Sequence, residues 1–431
     1  MIIILDTILA IYVFVSVAKK IRYIMRYREI ASRDLVFFTL CFSHVLPIYL
    51  KTFGFINYDN YLLSSEAYGV SDLWSVQIIY RVILFAVLAM LDIFGCSKKL
   101  LYHRTNHDDF NYSFLPIGSL NVAKFFSWVS LFLVIFSVLL TPDPTIYMQY
   151  GTIGARTGDQ SLINYHAMIS KIWLFGLFLF AFVFWLELRR SRKIFTLTCC
   201  LAYAAAFALC WLDGKRGSVF FVLIAISLIS FYETKIKIGY YVILLLCFLT
   251  FGVSYSYFAK SDDASPLIQG ELFRDYITLP CIGASHLTHS DIMPRGNGFL
   301  FNFVFWIPRR VWSDKPWTTP IYVTHYLVTG SDDVGIFTWG FGVGFIEEGL
   351  ANFGYLGLVL YLVGIICVCR LIDRLRLKMG SFVCLIQMPL VYGVLFSTSV
   401  LHQFILFIGI PMFILIMIFQ KKEHWFVVPR Y

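Results

Sequence analysis

Residues 2–28 read IIILDTILAIYVFVSVAKKIRYIMRYR. The run 2–18 carries one charge, Asp6, and is followed at once by Lys19, Lys20, Arg22, Arg26 and Arg28. A helix crossing a hydrocarbon core of about 30 Å needs about 20 apolar residues, and cations gather at its cytoplasmic end. The order apolar-then-basic is the reverse of a cleavable signal peptide's. The stretch therefore reads as a retained span with its N-terminus outside.

The same signature recurs along the chain. Apolar runs at 2–18, 35–53, 75–95, 122–140, 167–187, 194–212, 217–232, 239–257, 353–370, 381–398 and 402–420 predict about eleven transmembrane helices. Alternate connections carry the basic runs, at 19–28, 96–104, 187–193, 233–237, 370–378 and 420–422. One orientation satisfies that alternation, with the N-terminus outside and the C-terminus cytoplasmic. The expected fold is an all-α polytopic membrane protein, a single transmembrane bundle over 1–431. Between the eighth and ninth spans lies one large extracytoplasmic loop, 258–352, with short amphipathic helices; the stretch FLFNFVFWIPRRVW (299–312) has the pattern of one lying in the interface.

Composition agrees. Of 431 residues 59% are hydrophobic and 14% charged, well outside the soluble range of roughly half and about a quarter. The net charge of +9 does not indicate nucleic acid, because most cations flank apolar runs. The ten cysteines show no paired CxxC spacing, and all but Cys281 sit in or beside apolar runs, so neither disulfides nor a structural metal is expected. There is no phosphate-cradling glycine loop, no dinucleotide fingerprint and no HExxH, and no cofactor is predicted.

Three clusters carry potential chemistry. Lys215 and Arg216, in LDGKRGS (212–218), fall in an outer turn where orientation asks for no cations, and charges at membrane depth usually face a cavity or partner. Arg309, Arg310 and Lys315, in IPRRVWSDKP (307–316), combine phosphate-matching donors with apolar flanks, as a lipid-linked diphosphate would require. Glu347 and Glu348, in GFGVGFIEEGLANFGYLG (340–357), lie at the bilayer edge, where one of them can serve as a general base. Each has a plainer reading: a snorkelling pair, attraction to anionic headgroups, and an ion pair with a loop arginine. His325 and Arg156 are further outer-side candidates.

The order of these motifs, GKRG between two spans, IPRRVWSDKP in a long outer loop, then Glu348, Asn352, Phe353, Gly354 and Gly357, resembles the Wzy-type O-antigen polymerases, the oligosaccharide repeat-unit polymerases. The likeness covers roughly 205–370. It implies a glycosyltransferase in the bacterial cytoplasmic (inner) membrane, acting at its outer face on undecaprenyl-diphosphate-linked oligosaccharides during lipopolysaccharide or related polysaccharide biosynthesis. On that reading Glu348, Arg216 and Arg309 are the candidate catalytic residues, and Lys215, Arg310, Lys315, Arg156, His325 and Asn352 contact substrate. A chain-length regulator and a flippase are the implied partners, besides the bilayer. Many members have an aromatic residue where this chain has Leu350. Two alternatives stay open. An O-antigen ligase would use a loop histidine such as His286, His289 or His325. A transporter or flippase of lipid-linked glycans would distribute charges through its spans.

Overall fold

The computed structural model describes residues 2–27, 29–53, 69–94, 119–148, 159–191, 193, 196–213, 226–233, 275–288, 292–304, 307, 311–330, 342–379 and 383–396. All regular structure among them is helical, without strands. In chain order the helices are α1 (Ile2–Tyr27), α2 (Ser32–Leu40), α3 (Leu46–Thr52), α4 (Trp74–Phe94), α5 (Ser119–Leu139), α6 (Gln160–Ser191), α7 (Leu197–Asp213), α8 (Asp275–Gly283), α9 (Asn297–Val304), α10 (Thr319–Thr329), α11 (Phe345–Met379) and α12 (Cys384–Phe396). Among the described residues four helical segments are long and apolar enough to cross a membrane: Ile2–Tyr27, Ser32–Thr52, Trp74–Phe94 and Phe345–Leu375. The runs expected at 239–257 and 402–420 lie outside the described residues, as do the linking segments around them.

Two compact units divide the chain. The first comprises Met1–Leu100, Val253–Asp373 and Gly393–Gln403, the second Leu101–Gly252, Arg374–Tyr392 and Phe404–Tyr431. In the first, α2 and α3 form one 21-residue helix through a wide π turn at Cys41–Val45. Pro47, at the start of α3, explains the widening: it has no N–H to offer the preceding turn, and its ring crowds that turn's carbonyl.

Polar side chains tie these spans at both ends. At one end the Lys20 ammonium bonds Asp34, at 2.9 Å, and Asp92, while Tyr12 donates to the second Asp92 oxygen at 2.8 Å. The Ser32 amide and hydroxyl both donate to Asp373, at 2.9 and 2.8 Å. At the other end the Arg81 guanidinium forks onto Asp6, and Tyr49 donates to the Asp6 carbonyl at 2.7 Å. Residue 6 thus faces 49 and 81, while residue 20 faces 34 and 92. Helices α1, α4 and α11 therefore run in one direction and Ser32–Thr52 runs against them.

Lys20 corrects its sequence reading. It counts there as part of the basic flank that follows the span, but α1 continues to Tyr27 rather than stopping near residue 18, and the Lys20 side chain itself is buried. Lys20→Met would leave Asp34 and Asp92 facing each other without their shared cation. Loss of one partner from a buried ion pair costs about 3–5 kcal/mol, so the variant is expected to show a clearly lower unfolding midpoint in detergent than the parent.

In the second unit α6 packs against both α5 and α7. Gly176 permits the closest approach: a side chain there would begin 2.9 Å from the Ser130 hydroxyl. Trp128 meets Phe180 edge to face at 5.8 Å, and Lys124 reaches Glu187 and the Thr198 hydroxyl. Phe125, Phe132 and Leu139 on α5 are exposed, as on a helix that faces lipid.

Candidate functional site

The glycine-rich motif builds a sharp fold-back at the start of α11. Helical geometry breaks at Phe353 (φ −144°, ψ 20°) and Gly354 (φ 61°, ψ −144°). The Gly354 values belong to a region open in practice only to glycine. In an unbroken helix residues 349 and 357 would stand about 12 Å apart along the axis. Here a Cβ on Gly357 would lie 2.1 Å from the Gly349 carbonyl oxygen, and one on Gly349 would lie 2.8 Å from the backbone of Leu358. The two glycines let backbone cross backbone. Residues 345–352 form a short arm laid across the beginning of the ninth expected span.

Asn352 fastens that arm to the long loop. Its Oδ1 accepts from the Phe299 amide at 2.9 Å, and its Nδ2 donates to the Glu348 carbonyl at 2.8 Å and, more weakly, to the Thr319 hydroxyl at 3.4 Å. The Gly296 amide donates to the Asn352 carbonyl at 3.2 Å. Both ends of the amide are thus engaged within the protein, joining the starts of α9 and α10 to the motif. Gly298 is where the segments touch, since a side chain there would collide with Thr319 and Asn352.

The two acids on the arm are buried and diverge. Glu347 accepts a short hydrogen bond from the Thr278 hydroxyl of α8, next to Cys281 and within electrostatic reach of Tyr80 on α4. Glu348 faces Tyr361, which the fold-back brings over from the second half of α11. Successive helical residues point about 100° apart, which explains the split. Around Glu347 the polar neighbourhood continues through Asp275 and Tyr80 to His44, whose Nδ1 lies 3.2 Å from the Tyr80 hydroxyl. Burial pushes the Cys281 thiol well above its usual range, with the Glu347 charge adding to the effect, so the thiol stays protonated and unreactive. The sequence reading puts Cys281 in an exposed loop; it is instead enclosed in α8.

The other expected site residues divide in two. Lys315 is buried, donating to the Ile307 carbonyl at 2.8 Å with its ammonium 5.3 Å from the centre of the Phe301 ring. It thereby ties residue 315 back to residue 307. His325 is fully buried within α10, whereas His286 is exposed in the π turn Ala284–Thr288. Arg156, Lys215, Arg216, Arg309, Arg310 and His289 lie outside the described residues. No family model, curated protein or solved structure matches this chain.

Thr278, Asp275, Tyr80 and Tyr361 beside the acids are not picked out by sequence reading. Tyr80 and Tyr361 sit in apolar runs where a tyrosine is unremarkable, and only the fold-back brings Tyr361 to Glu348. Among the described residues no group of three or more His, Cys, Asp or Glu side chains converges as metal ligands would.

Proposed function

We propose that this protein is a membrane glycosyltransferase that polymerises undecaprenyl-diphosphate-linked oligosaccharide repeat units at the outer face of the bacterial cytoplasmic membrane. The observation carrying this reading is the motif arm. Two adjacent buried acids stand at one end of a set of membrane-length helices, latched by Asn352 to the helices of the long loop. A hydroxyl at the non-reducing end of a fresh lipid-linked unit attacks the anomeric carbon that joins the growing glycan to its carrier. Glu348 takes the hydroxyl proton as the new C–O bond forms. The old C–O bond breaks with its electron pair leaving on the lipid diphosphate, whose rising charge is met by Arg216 and Arg309, with Lys215 and Arg310 beside them. Lys315 and Asn352 act by shaping the loop and the arm. Arg156 completes the substrate surface in this reading, and His325, fully buried in α10, supports it from within. Because Glu348 is almost wholly enclosed, the acceptor sugar reaches it only as that packing opens.

The eleven-span topology belongs to the same proposal. Spans one, three and nine run together and span two against them, the parity that alternating crossings require. The direct test is deletion of the gene followed by display of the surface glycan. The expected phenotype is a single repeat unit on the lipid core in place of a ladder. Complete loss of the glycan from the core would instead indicate a ligase or a transporter. One observation favours the transporter reading: Asp6, Lys20, Asp34, Arg81 and Asp92 place charge inside the spans. These charges pair with one another, as structural ties between helices do.

A further inference from the structure

Helix α9 has two unlike faces. Gly298 and Asn302, one turn apart, are buried, while Phe299, Leu300 and Phe303 on the opposite face are exposed, Phe303 by 53%. The exposed rings form an ordered group: Phe299 meets Phe303 edge to face at 5.2 Å and Phe353 of the motif turn at 6.3 Å. The Gly296 position, with φ 78°, abuts the Phe353 ring, so the turn before α9 and the turn in α11 share this surface. The surface does not stop there. From Phe353 it continues along α11 through Leu356, Val359, Leu360 and Val363, all exposed on a segment long and apolar enough to cross a membrane.

An apolar stripe on a membrane-crossing helix faces acyl chains, so an aromatic face continuous with it lies at the level where those chains begin. We infer that α9 and the Phe353–Gly354 turn are inserted into the lipid bilayer, with Phe299, Leu300, Phe303 and Phe353 among the acyl chains at the end of the bundle where Asp6 and Arg81 lie. The occupant of this face is the bilayer itself. Lys315 fits that placement, since its ammonium sits over the Phe301 ring of the same helix. Residues 297–304 are then held in the membrane surface rather than projecting into water. This inference rests on the spans and the packing of α9, independently of the proposed reaction.

Photocrosslinking tests it on the full-length protein. The photoreactive analogue p-benzoylphenylalanine replaces Phe299 or Phe303, and the protein is reconstituted into phosphatidylethanolamine–phosphatidylglycerol vesicles carrying radiolabelled phosphatidylethanolamine. Position 360 on the α11 stripe and position 313, in an exposed turn, serve as references; if either phenylalanine variant fails to fold, position 300 takes its place. Lipid label at the α9 positions is expected to match that at 360 and to exceed that at 313 about tenfold. Label at the α9 positions no higher than at 313 overturns the inference. So does a crosslink to a protein rather than to lipid when the same variants are irradiated in native membranes.

Discussion

Glu348→Gln is expected to lower repeat-unit polymerisation by about 10²–10⁴-fold, the usual worth of a general base, while leaving the protein folded. Glutamine keeps the size of the side chain and its capacity to bond Tyr361 but cannot take the sugar's proton. The neighbouring substitution is the control. Glu347→Gln retains an oxygen to accept from Thr278 and sits on the α8 side of the arm, so it should keep most activity. Rates on purified lipid-linked repeat units for both variants, with melting curves alongside, separate the outcomes. Full activity in Glu348→Gln removes it as the base. Equal loss in both, with lowered melting, makes the pair a structural element.

Gly357→Val is expected to abolish accumulation of folded protein, a larger effect than any side-chain exchange on the arm. The obstacle is backbone, not a flexible side chain: the new Cβ would start 2.1 Å from the Gly349 carbonyl oxygen and 2.9 Å from its carbonyl carbon. Gly354→Ala is the informative contrast. Nothing lies within 4 Å of a Cβ there, so the cost is conformational alone, of order 1–3 kcal/mol for a non-glycine residue in that region of backbone space. The alanine variant should accumulate with a reduced melting temperature. Yields judged by fluorescence-detected size exclusion distinguish the two, and normal yield of Gly357→Val would contradict the crossing.

What could be read from sequence follows from which signals are local. Apolar runs ended by cations are local, so the first three expected spans reappear as Ile2–Tyr27, Ser32–Thr52 and Trp74–Phe94, displaced by a few residues. The extension of α1 was not legible, because the run after residue 18 looks like a basic flank until Asp34 and Asp92 are brought to Lys20. The glycine-rich motif could be seen to matter, but its purpose is a contact between residues 349 and 357 that no periodicity encodes. Asn352 was expected at the substrate; its amide is engaged with Phe299, Glu348 and Thr319, joining segments 33 and 53 residues apart in sequence. Pattern also cannot show that Glu347 and Glu348 would be enclosed by α8 and Tyr361, since those neighbours come from distant or folded-back chain.

The most direct measurement is polymerisation by the purified protein in vesicles supplied only with undecaprenyl-diphosphate-linked repeat units. Gel-resolved products should form a ladder of lengths with release of one undecaprenyl diphosphate per unit joined, without added nucleotide sugar, nucleotide or metal cofactor. Intact single units after prolonged incubation with folded protein, or movement of those units across the bilayer without any ladder, would contradict the proposed polymerase.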